Sequence, residues 1–151
     1  MTFETKKFGT IDIADDKLLS FPEGIIGFPF LKKFALIFDK EKPDKGDIMW
    51  LQSLEEGGFA MPVISPTILV PAYAPEVNND LLEPLGEMAD DDLFMLVTIT
   101  VPKEIENMSV NLKAPFVINS KSNRGVQVAC EGDYSVKYPI YQLLKDNREE
   151  K

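Results

Sequence analysis

Hydrophobic and polar positions alternate most regularly near residues 108–119. Met108, Val110 and Leu112 fall on one side of an extended chain and Ser109, Asn111 and Lys113 on the other, which predicts a strand with one dry and one wet face. Ala114-Pro115 stops the ladder, because proline has no N–H to give a neighbouring strand. Phe116-Val117-Ile118 resumes as an apolar run suited to burial on both faces, and Asn119 opens a loop. Two strands joined by a proline break predict the corner of a small β-barrel or sandwich.

Short runs of the same kind recur along the chain. Phe8–Ile13 reads as a strand with a bend at Gly9, whereas residues 3–8 alternate poorly, and Asp15-Asp16-Lys17 makes a turn. Leu18–Pro29 mixes two glycines and two prolines with large apolar residues; it predicts an ordered loop pinned to the core by Phe21, Ile25 or Ile26, and Phe28. Phe34–Phe38 is a short buried strand, followed by a polar loop over Asp39–Asp47. Ile48–Leu54 and Phe59–Ile64 flank the turn Glu55-Glu56-Gly57-Gly58 as a hairpin, in which Pro62 demands an edge or a bulge. Asn78-Asn79-Asp80 offers caps for a helical turn carrying Leu81, Leu82 and Leu85, kept short by Pro84 and ended by Gly86. Leu93–Val101 is the longest strand and, apolar on both faces in its first half, a central one. Val126–Cys130 pairs back on Phe116–Asn119. Tyr134–Leu144 fits no single pattern. Many short strands with little helix predict an all-β fold: a small closed or partly open antiparallel β-barrel with one or two short helical turns. Residues 1–144 form its single domain and 145–151 a charged C-terminal tail.

Composition narrows the function. The chain has 151 residues and a net charge of -9, from 25 acidic and 16 basic residues, of which only Arg124 and Arg148 are arginine. Nucleic-acid backbones are held by clustered positive charge, so direct nucleic-acid binding is not expected; an acidic surface instead draws basic protein patches. A single cysteine, Cys130, precludes an intrachain disulfide. The first residues lack a secretion signal and no run reaches membrane-spanning length, which predicts a cytoplasmic protein without a membrane partner.

Catalytic chemistry finds little to work with. Without histidine, the Ser-His-Asp and Cys-His arrangements and the common zinc sites cannot form. Cys130 shares a strand face with Val126 and Val128 and reads as buried packing. Gly24 and Gly27 lack the lysine and hydroxyl of a phosphate loop. Asp39–Trp50 fails the calcium-loop pattern, with Trp50 where the bidentate acid belongs. Asp90-Asp91-Asp92 reads as a solvated face. Neither a metal nor a cofactor is expected, and no enzyme. Trp50 reads as core, while Gln52, Asn111 and Asn119 either fix turns or offer amides to a partner.

Several blocks carry a resemblance. Thr5-Lys6…Phe8-Gly9, Phe21-Pro22-Glu23-Gly24-Ile25…Gly27-Phe28, Trp50-Leu51-Gln52-Ser53-Leu54, Pro66…Tyr73 and Asn111-Leu112-Lys113-Ala114-Pro115…Val117-Ile118-Asn119 stand in the order found in the FliW family of bacterial flagellar assembly factors. The likeness runs from about Phe3 to Ile140. It departs at Ser65, Ala74, Pro84 and Tyr138, where the family often has other residues. The resemblance implies a non-enzymatic small β-barrel protein that binds flagellin in the cytoplasm and antagonises the translational repressor CsrA, coupling flagellin synthesis to export. It places partner contacts at Gln52, Glu55, Glu56, Pro66, Tyr73, Asn111 and Asn119. Two other readings stay open: a chaperone for flagellin alone, and a small β-barrel that encloses an apolar ligand.

Overall fold

Proline, glycine and polar turns interrupt the apolar runs every few residues, so the strands are short. The computed structural model describes residues 2–38, 48–77, 79–86 and 93–142. In chain order the strands are β1 (Thr2–Thr5), β2 (Gly9–Asp12), β3 (Leu19–Ser20), β4 (Lys33–Phe38), β5 (Ile48–Ser53), β6 (Ala60–Ile64), β7 (Leu93–Thr100), β8 (Ser109–Val110), β9 (Phe116–Asn119), β10 (Arg124–Gln127) and β11 (Tyr138–Pro139). Helix among the described residues amounts to α1 (Pro66–Leu69), helical residues at 141–142 and 3-10 turns at Asp15–Lys17, Asn79–Leu85 and Ile105–Asn107. The fold is all-β with little helix, as the pattern predicts. The polar loop over Asp39–Asp47, the Asp90–Asp92 run and the charged tail lie outside the described residues.

β1 and β2 form a hairpin of their own. The remaining strands join in the order β11-β8-β7-β6-β5-β4-β3-β10-β9, and an added pairing of β7 with β9 closes part of this sheet into a ring. Every joint is antiparallel except β3–β10, which is parallel and rests on the single pair Ser20 and Arg124. The β5–β6 hairpin forms as expected, with Trp50 opposite Pro62. β7 joins β6 only at Val63 and Ile64, so Pro62 sits where no donor is needed on that side.

Alternation then decides which core each residue enters. Inside the ring, Phe21 meets Phe34 and Phe116 edge-on, with centroids 5.3 and 5.8 Å apart, among Leu51, Val63, Leu96 and Ile118. Ile64, Val97, Ile99, Val110 and Ile140 form a second cluster, and Val117, Val126, Val128 and Leu85 a third. β7 and β9 feed more than one cluster, which is why both are apolar on two faces. Gly125 is required by close approach: a Cβ there would lie 2.7 Å from the Phe21 ring, which the two neighbouring rings hold in place.

Four expectations change. The strand around Met108–Lys113 shrinks to β8, and Ser109 is buried because β11 covers the outer edge. Residues 2–5 pair as β1 despite weak alternation, because the hairpin partner supplies the order. Phe28 does not anchor its loop; it is 39% exposed, and Ile25 takes the buried position beside Phe21. Trp50 is half-buried rather than core: Phe8 meets it edge-on at 6.2 Å and the Lys7 ammonium stands 4.0 Å from its ring.

Candidate partner-binding surface

The β5–β6 turn brings three of the expected contact residues together. Gln52 is fully buried, and its Nε2 donates to the carbonyls of Ser53, Gly57 and Phe59 at 2.9, 3.2 and 3.1 Å. Its Oε1 is buried and accepts no hydrogen bond among the described residues. Ser53 Oγ accepts from the amides of Glu55 and Glu56. One oxygen of the Glu55 carboxylate accepts from the amides of Lys32 and Lys33 at 2.6 and 2.9 Å, tying the turn to the start of β4. Glu56 is exposed, and its side chain joins no such network among the described residues. The turn therefore presents Glu56 to solvent, holds Glu55 in place and hides Gln52.

Tyr73 and Asn111 meet at the break between β8 and β9. The Tyr73 hydroxyl donates to the carbonyl of Leu112 at 2.7 Å, and its ring stands edge-on to Tyr134 at 5.0 Å. Burial pushes this phenol far above its usual titration range, with Cys130 beside it adding to the shift. Asn111 Oδ1 accepts from the amides of Lys113 and Ala114, both at 3.0 Å, and so shapes the turn that the proline break requires. Asn119 is fully buried: its Nδ2 donates to Leu85 O and its Oδ1 accepts from Lys121 N, each at 2.9 Å. Pro66 opens α1 and is buried in the wall of a cleft. The seven expected residues thus fall into four separate settings, and most of their polar groups serve the fold.

A surface not singled out by the sequence lies next to the turn. Gly24 has φ +72°, and a Cβ there would run into the Pro29 carbonyl, so the loop folds back tightly on glycine. Ile25 and Phe28 exchange backbone bonds, and Gln127 Oε1 accepts from Ile26 N at 2.8 Å. The result pushes Ile26 and Phe30 outward, 57% and 66% exposed. Phe28 packs on Phe59 of the β5–β6 turn at 4.8 Å and on Phe30 at 6.2 Å, so the apolar patch and the Glu55–Glu56 turn are continuous. Nothing in the loop's composition distinguishes an anchoring phenylalanine from a displayed one.

Charge is segregated. Residues 46–102 hold ten acidic residues and no lysine or arginine; the rest of the chain holds 15 acidic and 16 basic residues. That split is legible in the sequence, though the net charge conceals it. A cleft of about 480 Å³ lies within the acidic part, lined by Pro66, Pro75, Val77, Leu82, Leu93 and Met95 among others. Among the described residues no three acidic, cysteine or histidine side chains converge to hold a metal, and no helix is long and apolar enough to cross a membrane. Cys130 is buried, 2% exposed, with Val126 and Val128.

Comparison with known proteins gives one consistent answer. The sequence model of the family described as FliW protein matches residues 2–140. The flagellar assembly factor FliW of Lachnospira eligens is 40% identical, over 96% of this chain and 97% of its own. That of Thermotoga neapolitana is 41% identical over 96% of each. A crystal structure of the flagellar assembly factor FliW superposes with a TM-score of 0.83 at 28% identity, covering 93% of this chain and 97% of that one.

Proposed function

This chain belongs to the FliW family of flagellar assembly factors, and from that premise we propose that it works by binding proteins, not by catalysis. Its partners are flagellin and a CsrA-type translational repressor, both in the cytoplasm. Flagellin occupies it while flagellin accumulates; once flagellin is exported, the freed chain captures the repressor and translation resumes.

The observation that carries this reading is the pairing of a segregated acidic charge with a displayed apolar patch. Ten acids in a stretch of sequence, residues 46–102, that carries no lysine or arginine of its own raise the encounter rate with a basic partner and repel phosphate backbones. Ile26, Phe28 and Phe30 supply short-range apolar contact beside Glu56. The alternative of an apolar ligand inside the ring fits poorly, because Phe21, Phe34, Phe116 and Leu51 fill that space and are fully buried. A flagellin-only chaperone differs in lacking the repressor.

Stopped-flow kinetics across ionic strength test the reading. Raising salt should slow CsrA association about tenfold or more while leaving flagellin dissociation little changed. Equal salt responses for the two partners, or no CsrA association, contradict it.

A further inference from the structure

β7 outruns its neighbour. β6 pairs with it only at Val63 opposite Thr98 and Ile64 opposite Val97, after which Ser65-Pro66 turns the chain away into α1. The next residues of β7, Leu93–Leu96, pair with β9 on one side. On the side that β6 has vacated they have no strand partner among the described residues. An unpaired sheet edge is a template for another strand, and proteins ordinarily cover or charge such edges. Here the edge borders the cleft, where Pro66, Val77, Leu82, Leu93, Phe94 and Met95 present apolar side chains. The acidic residues Glu76, Asp80 and Glu83, all exposed, lie on the two segments that wall it, and no basic residue occurs between residues 46 and 102.

We propose that the cleft is a docking site for an extended segment of a protein partner, which adds to the free edge of β7, seats apolar side chains in the cleft and sets lysine or arginine against the acidic walls. Strand addition draws affinity from main-chain bonds and specificity from pockets for alternate side chains. The edge supplies the first and the cleft the second. Three exposed acids on the walls, against the single guanidinium of Arg124 near Gly86, select a basic segment over an acidic one. The assignment adds a surface and a binding mode to the proposed function and depends on neither named partner.

The test uses the whole chain labelled for NMR and two synthetic peptides, one alternating lysine with valine or leucine, the other with glutamate in place of lysine. The lysine peptide should shift the amides of Leu93–Met95 and saturate at or below about 1 mM. The glutamate peptide should bind about tenfold more weakly or worse. Thr67→Arg, at an exposed position in the cleft wall, and Glu83→Lys, on the exposed rim, should each weaken the lysine peptide about tenfold with the remaining spectrum unchanged. Equal binding of both peptides, shifts confined to Ile26–Phe30, no shift, or the same amides shifting through self-association without peptide would each overturn the proposal. Peptide binding by a chain that ignores flagellin and CsrA keeps the cleft and removes those partners; binding of both partners without any peptide shift does the reverse.

Discussion

Tyr73 carries its hydroxyl into a buried site and donates it to Leu112 O, a bond available only to the neutral phenol. Burial, which disfavours the phenolate, and Cys130 beside it keep that proton on the folded chain above the pH, about 10, at which an unfolded chain releases it. The bond's contribution is full below pH 10 and is lost as pH rises further, because deprotonation then favours the unfolded state. Denaturant midpoints of the native chain should fall above pH 10, and Tyr73→Phe should show a flatter decline there while being about 1 kcal/mol less stable at neutral pH. Glu55 and Glu56 are adjacent in sequence and opposite in role. Glu55→Lys removes the acceptor for two backbone amides and should destabilise the chain by on the order of 1 kcal/mol. Glu56→Lys should stay within about 0.5 kcal/mol in the same chemical denaturation, which makes it the variant suited to partner binding. The sequence marks these amides as notable without saying what they bond: Asn111 serves its own turn and Gln52 the turn that follows it, whereas Asn119 also reaches the distant carbonyl of Leu85.

Elements were legible where the apolar period was long. β7, the β5–β6 hairpin and the short helical turn ended by Gly86 fall where the pattern predicts, whereas the partner of β9 lies at Arg124–Gln127 rather than Val126–Cys130, because the chain turns back tightly through Asn123 at φ +58°. The pattern fails where order comes from a partner. β1 alternates weakly and is held by β2, and β11 is two residues long and exists because β8 lies beside it. The β1–β2 hairpin belongs to no other sheet; the structure ties it to the rest through Lys6 N donating to Gly57 O at 2.9 Å and through Lys7 and Phe8 against Trp50. Such an element opens more easily than the ring. Phe8→Ala should move the emission of Trp50, the only tryptophan, to longer wavelength, while far-UV circular dichroism reports a cooperative midpoint shifted by less than about 1 kcal/mol. A large loss of global stability would show the hairpin to be part of the ring's cooperative unit.

At the scale of the molecule, a ring of strands with a filled interior leaves function to the outside. The outside is divided: an aromatic loop displayed beside the Glu55–Glu56 turn, and an apolar cleft bordered by exposed acids and by an edge of β7 that has no strand partner among the described residues. The all-β class was legible because short alternating runs and turn residues dominate the chain. Closure was not, since it depends on β7 pairing with β9 and on the single parallel joint between β3 and β10, neither of which leaves a local mark. In the proposed function one acidic chain holds flagellin and CsrA in alternation. Calorimetric titration of the purified chain with flagellin and with CsrA, separately and then with the other already bound, tests it most directly. Binding to each is expected at about micromolar affinity or tighter, with the first partner weakening the second about tenfold or more. Binding to neither competent partner, or simultaneous binding with unchanged affinities, would contradict it.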